Sequence, residues 1–185
     1  MGKDIKAMMQ RLNDLLAAYE ANDPAVRSKA EVLLTNQGVH AILFHRLAHK
    51  CYNKKWFLLA QIISKFARFL TGVEIHPGAQ IGKRLFIDHG MGTVIGETAV
   101  VGNDVTIFHG ATLGGTGKQK GKRHPNVEDG VLVSANSSVL GNITIGEGSK
   151  IGANAVVLED VPPHVTVVGL PAKIVRYHDE TTESK

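Results

Sequence analysis

Cysteine is almost missing from this sequence: Cys51 is the only one in 185 residues. No intrachain disulfide and no Cys-x-x-Cys redox or metal motif can form. A reduced, cytoplasmic setting is the default expectation. Aromatic residues make up 5%, so the core must be largely aliphatic. No apolar run is long enough to span a bilayer, because the most apolar window, residues 56–70, is interrupted by Gln61, Lys65 and Arg68. The N-terminus carries Asp4 and Asp14 and lacks an apolar stretch, so it does not read as a signal peptide. No membrane partner is expected. With 43% hydrophobic and 21% charged residues, disorder is excluded for most of the chain.

Glycine is abundant, and it is unevenly placed. Only three of the 20 glycines, but seven of the ten aromatics, lie in residues 1–72. Charge divides at the same point, with 11 basic against 5 acidic side chains before it and 10 against 12 after it. Nucleic acid is therefore not expected as a partner, and the basic first part reads as solvated helix faces. Three segments follow: 1–72, 73–163, and 164–185 as a C-terminal piece with a disordered tail. The first segment is helical. Ile5, Met8, Met9, Leu12, Leu15, Leu16 and Tyr19 recur at three-four spacing. Asn22-Asp23-Pro24 predicts a stop and restart, with Pro24 opening a second helix to about Leu34. A third helix is expected over about 39–52 and a fourth over about 54–70, closed by Gly72.

From Ile75 the period becomes six. Aliphatic anchors fall at Ile75, Ile81 and Ile87, then Ile95, Val101, Ile107 and Leu113, then Val127, Val133, Val139, Ile145, Ile151 and Val157. A helix cannot keep one face aligned at that period, and a plain strand repeats at two. Short strands joined by glycine corners can, if three sides close a triangular coil whose anchors point inward. The anchored span is just under five such coils. Two interruptions mark loops leaving a corner, where functional residues gather: residues 88–92 and the loop 114–125. Both carry histidine.

His40, His45 and His49 fall on the third helix and read as surface or packing, since the His45–His49 pair lacks a third ligand. His76, His89, His109 and His124 lie among the coils. Zinc would need three of them at a spacing that no pair shows, so no metal is expected. Glu74 stands fifteen residues before His89, close to one coil, so the two can sit on adjacent rungs with the carboxylate orienting the imidazole. The loop 114–125 fails the phosphate-loop pattern, because neither Lys118 nor Lys122 is followed by Ser or Thr. Lys118, Lys120, Lys122 and Arg123 still suit an anionic ligand.

Several motifs together resemble the serine O-acetyltransferases of the hexapeptide-repeat acyltransferase family. They are residues 71–78 (Thr-Gly-Val-Glu-Ile-His-Pro-Gly), 87–92 (Ile-Asp-His-Gly-Met-Gly), 94–98, 112–118 and 123–125, with Asp23-Pro24-Ala25-Val26 before them and 167–175 after. The resemblance implies an α+β chain: an N-terminal helical domain followed by a left-handed parallel β-helix of hexapeptide repeats. It implies transfer of acetyl from acetyl-CoA to the hydroxyl of L-serine in cysteine biosynthesis, with no permanently bound cofactor. His89 would be the general base and Glu74 its partner, where the family usually has Asp. Asp23, Asp88, Glu97, Arg123 and His124 would surround serine. Gly115, Ala135 and Ala153 would line the pantetheine arm, with Thr116, Lys150 and Lys173 near the loop or the phosphates. L-Cysteine would act as feedback inhibitor. A trimer is expected as the minimal unit, with sites between neighbours and a hexamer less favoured. The polar ending, residues 179–185, argues against a tail-mediated complex with O-acetylserine sulfhydrylase. Two other readings stay open: a hexapeptide acetyltransferase for a sugar or other hydroxyl acceptor, and a non-catalytic scaffold.

Overall fold

The computed structural model describes residues 2–117 and 120–177. The tail discussed above and Lys118 lie outside them. Four helices come first: α1 (Gly2–Asn22), α2 (Lys29–Thr35), α3 (Gln37–Asn53) and α4 (Phe57–Thr71). The start of α2 differs from the expected restart at Pro24. Residues 23–26 form a tight turn, closed by the Val26 amide donating to the Asp23 carbonyl. The helix is capped instead by Ser28, whose hydroxyl accepts from the Glu31 amide, while Glu31 reaches back to the Arg27 amide. Ser-x-x-Glu is a capping pattern that holds two orphan amide donors at once, and it outweighs the Pro24 signal. Gly72, left-handed at φ 71°, closes α4 as expected.

Fifteen short strands follow: β1 (Glu74–Ile75), β2 (Gln80–Ile81), β3 (Phe86–Asp88), β4 (Val94–Ile95), β5 (Val100–Val101), β6 (Thr106–Phe108), β7 (Thr112–Gly114), β8 (Asn126–Val127), β9 (Leu132–Val133), β10 (Ser138–Leu140), β11 (Thr144–Ile145), β12 (Lys150–Ile151), β13 (Val156–Val157), β14 (Val165–Gly169) and β15 (Ala172–Tyr177). They form three sheets. Sheet 1 is β1-β4-β7-β10-β13, sheet 2 is β2-β5-β8-β11, and sheet 3 is β3-β6-β9-β12-β14-β15. All pairings are parallel except the closing β14–β15 hairpin. The chain visits the sheets in rotation, which is a parallel β-helix with a triangular section. The anchors are aligned in register and buried, as in Ile95, Ile107, Leu113, Val139 and Ile151 at 0% exposure, except Ile81, which is half-buried.

The helices are fastened to the first coil through β3. The Ile87 amide donates to the Tyr19 hydroxyl at 3.0 Å, and the Tyr19 and Phe86 rings meet edge to face. Gly38, at the start of α3, makes this approach possible. A Cβ there would fall 2.5 Å from the Tyr19 hydroxyl and 2.6 Å from the Ile87 carbonyl oxygen. Neither backbone nor buried tyrosine can yield cheaply. Gly38→Ala is therefore expected to lower unfolding free energy by ~1–3 kcal/mol, the usual cost of overpacking. Denaturant unfolding followed by circular dichroism measures it, and an unchanged midpoint would refute the close-approach argument.

Candidate active site

Register decides which side chains share an edge. Ile87 pairs with Ile107, Ile107 with Val133, and Val133 with Ile151. Two residues further on, where sheet 3 turns into sheet 1, His89, His109, Ala135 and Ala153 therefore form one column. His89 stands at its foot on the two-residue insertion, with φ 57°, a conformation that costs a non-glycine residue energy and concentrates at functional sites. Its side chain is 77% exposed, its Nε2 lies 3.9 Å from Asp88 Oδ1, and its ring is edge-on to that of His109. Above the histidines the column continues with two small side chains, Ala135, half-buried, and Ala153, exposed. Lys173 on β15 lies opposite Val168 at the top of sheet 3, and Lys150 lies on β12 just below. Asp23 follows α1 by one residue. Its Oδ1 accepts from the Ala25 amide at 2.8 Å, and its own amide donates to the Tyr19 carbonyl. Tyr19 thus ties that turn to β3 and, through it, to Asp88.

The expected Glu74–His89 pair is not formed. Both carboxylate oxygens of Glu74 are held by cations of α4, Lys65 Nζ at 2.7 Å and Arg68 Nη1 at 2.7 Å. Glu74 alternates with the inward Ile75, so it points out of sheet 1, and α4 packs on that strand. The Lys65 hydrogen bond holds its carboxyl below the usual range against a smaller opposing effect of burial.

The turn from sheet 1 into sheet 2 carries a second cluster. Arg123 Nη2 pairs with Glu97 Oε2, and the Tyr52 hydroxyl of α3 donates to Glu97 Oε1 at 3.0 Å. The Arg123 hydrogen bond lowers the Glu97 carboxyl, and burial followed by Glu97 raises the Tyr52 hydroxyl. Gln61 of α4 meets His76 Nε2 at 2.9 Å. The loop 114–125 leaves from Gly115 and Thr116, both exposed, and is pinned where it returns: Lys122 Nζ donates to the Thr98 carbonyl at 2.6 Å.

His124 is 8% exposed and its ring lies flat on Gly96, where a Cβ would fall 2.0 Å from Cδ2. Thr98 organises it. The Thr98 hydroxyl accepts from the Arg123 and His124 amides at 3.0 and 3.1 Å, so its own proton is free for His124 Nδ1, 2.8 Å away. The Thr98 amide also donates to Nδ1, at 3.2 Å. An Nδ1 that accepts twice carries no proton, so the proton sits on Nε2 and His124 is a neutral donor. Burial first, and then Arg123, push its pKa below the ordinary histidine value.

The two edges thus hold complementary halves. Asp88, His89, Ala135 and Ala153 share one edge; Glu97, Gly115, Thr116, Arg123 and His124 share the other. Within one chain the structure does not bring the halves together. Sequence reasoning passed over Tyr52, Gln61 and Thr98, whose roles come from contacts between elements. It noted His109 without a role, although that residue follows His89 by one coil plus the two-residue insertion. His45 and His49 stack at 5.5 Å, with His45 buried and pushed down to about 4 by that burial, so the pair packs α3, as expected.

The Thr98 reading has a direct test. Losing a donor to the neutral imidazole should raise the pH at which His124 titrates in Thr98→Val, while Thr98→Ser should titrate like the parent. Two-dimensional NMR of the ring nitrogens reports both the titration and the tautomer. A parent protonated on Nδ1 would contradict it.

Residues 124–159 match the bacterial transferase hexapeptide (six repeats) family. Serine acetyltransferase of Bacillus subtilis is 61% identical over 153 residues, covering 83% of this chain and 70% of its own. Among solved structures, Neisseria gonorrhoeae serine acetyltransferase in complex with serine aligns with a TM-score of 0.88 at 45% identity, over 92% of this chain and 70% of its own. A serine acetyltransferase in complex with cysteine gives 0.91 at 41%, over 96% and 69%. Brucella abortus serine acetyltransferase in complex with coenzyme A gives 0.91 at 42%, over 96% and 71%. Identity at this level across both the helices and the coils has one meaning: the chain belongs to the serine acetyltransferase family.

Proposed function

We propose that this chain transfers the acetyl group of acetyl-CoA to the hydroxyl of L-serine, at a site built from two protomers. The observation that carries the reading is the split constellation, with an exposed histidine below a column of small residues on one edge and an arginine–carboxylate–histidine cluster on the other. Sheet 1 lies between those edges. Its outward positions include Val94, Leu140 and Val156, and beside it α4 exposes Leu58, Ile62, Phe66 and Phe69. A three-fold ring with sheet 1 inward would cover this apolar surface and set each His89 against the neighbour's Arg123. Cyclic closure of this kind repeats one heterologous contact three times. A trimer is thus part of the proposal, as is a cytoplasmic location for a chain with one buried thiol.

In this mechanism serine enters with its carboxylate on the N–H donors that Arg123 keeps beyond those given to Glu97 and the Gly121 carbonyl, and on the His124 Nε2–H. Asp23 and Asp88 take its ammonium group. His89 removes the hydroxyl proton as the oxygen attacks the thioester carbonyl, and the proton is returned to the departing thiolate. The pantetheine arm lies along Ala135 and Ala153 on one side and Gly115 on the other, with Thr116, Lys150 and Lys173 towards the phosphates. Glu74 would have to leave its α4 cations to orient His89, so its part in the dyad requires a rearrangement of that pair. Cys51 is buried in the helices, which favours direct attack over an acetyl-cysteine intermediate. Acetyl-CoA is a co-substrate, and no bound cofactor is needed.

Four measurements test this. Release of CoA should depend on serine and be near background with homoserine, a galactoside or no acceptor; a galactoside preference would favour the sugar reading. His89→Ala should lower kcat by roughly 10²–10⁴-fold, the range for a general base. Mixing denatured His89→Ala and Arg123→Ala chains and refolding them together should recover about a quarter of wild-type activity, since one interface in four then joins two intact halves in a random ring. No recovery would place the whole site within one chain. L-Cysteine shares the carboxylate and amine of serine, so its inhibition should weaken as serine is raised. Inhibition insensitive to serine would rule out a common site.

A further inference from the structure

A separate cleft of about 800 Å³ lies between α1, α3 and the turn from β2 to β3. It opens on the edge between sheets 2 and 3, away from both halves of the candidate active site. Five cationic side chains line it, Arg11, Arg46, Lys50, Lys83 and Arg84, against one acidic side chain, Asp14. Arg84 is neutralised by a two-pronged pair with Asp104, and Asp14 accepts from the Gln10 amide. The other four cations have no acidic partner among the described residues.

Arg46 is the informative one. It is half-buried on α3, and it makes no hydrogen bond or ion pair among the described residues. Its nearest charged influence is another cation, Arg11, and burial together with that neighbour holds its pKa below the ordinary arginine value. A guanidinium withdrawn from water normally gains a carboxylate or carbonyl in exchange, because burying an unpaired charge is costly. Here the fold supplies a second guanidinium and two ammonium groups facing the same space. Such a convergence is favourable only when an anion fills it, and planar guanidinium forks match phosphate oxygens. The rest of the wall is mostly apolar, Ile5, Met8 and Ile81, joined by Asn103 and by His49, whose Nδ1 is engaged by the Pro77 carbonyl and whose ring faces His45; no Trp, Tyr or Phe lines it to stack a base.

We propose that this cleft binds a compact, multiply charged phosphate compound, held by Arg46 and Arg11 with Lys50 and Lys83 at the rim. The proposal stands independently of the acetyl-transfer reading. Calorimetric titration of the full chain with inorganic pyrophosphate, at fixed ionic strength and without divalent cations, tests it. Saturable binding of one pyrophosphate per chain is expected, undiminished by saturating coenzyme A. Arg46→Met should weaken it at least tenfold while leaving the ligand-free melting temperature at or above that of the parent, since an unpaired charge is removed. Lys83→Met, at an exposed turn, should weaken binding several-fold and carries the test should Arg46→Met fail to fold. Lys54→Met removes an equal charge elsewhere, over Trp56, and should change nothing. The proposal is overturned by absent saturation, by unaltered affinity in Lys83→Met, by equal loss in Lys54→Met, or by displacement with coenzyme A.

Discussion

The residues of the coils that could act chemically are placed by the inward stack of aliphatic anchors. Because Ile75, Ile95, Leu113, Val139 and Val157 lie one above another, each corner residue inherits a fixed height and a fixed edge. Thirteen Ile, Leu or Val positions alternate with outward ones, and a slip of one residue would expose a whole row of them. The register is therefore specified many times over. A solenoid of this kind tolerates added residues only where they leave the stack, and both additions, at residues 88–92 and in the loop 114–125, carry a histidine of the proposed site.

That logic explains what could be read in the sequence. Period six is visible because inward positions accept only aliphatic side chains, and the insertions are visible as breaks in it. The column from His89 through His109 to Ala135 and Ala153 is arithmetic once the coil length is known. Other features were hidden because they depend on elements distant in sequence. Glu74 reads as a partner for His89 on spacing alone, yet Lys65 and Arg68 of α4 hold both of its carboxylate oxygens. Thr98 looks like a turn residue. Only the return of the loop brings two amides and an imidazole to its hydroxyl. Pro24 reads as a helix opener, yet α2 is capped four residues later, where the Ser28 and Glu31 pair satisfies two backbone donors.

The helical segment also does more than precede the coils. Through Tyr19 and Gly38 it grips β3, and Gln37, turned so that its amide nitrogen faces them, donates to the carbonyls of His89 and Thr71 at 3.2 and 3.3 Å. From its other end α3 sends Tyr52 to Glu97, which holds Arg123. One helix therefore touches both edges, so the backbone of His89, the proposed base, and the Arg123 fork are held relative to the same element. Gln37 thereby anchors the backbone of an inserted residue that sits at φ 57°.

The same helix explains why the basic excess of the first 72 residues is not spread evenly over solvated faces. Arg46 and Lys50 of α3 point to the edge between sheets 2 and 3, where Arg11, Lys83 and Arg84 converge from other elements. Tyr52, half a turn beyond Lys50, points instead to Glu97 and the edge with Arg123. Charge on the outer flank and geometry at the inner site are therefore joined through a few residues of one helix. An anion that drew Arg46 and Arg11 together would act on the element that also positions Glu97. Two helices carry side chains to both places: α3 through Arg46 and Tyr52, and α1 through Arg11, which lines the cleft, and Tyr19, which holds β3 beside Asp88.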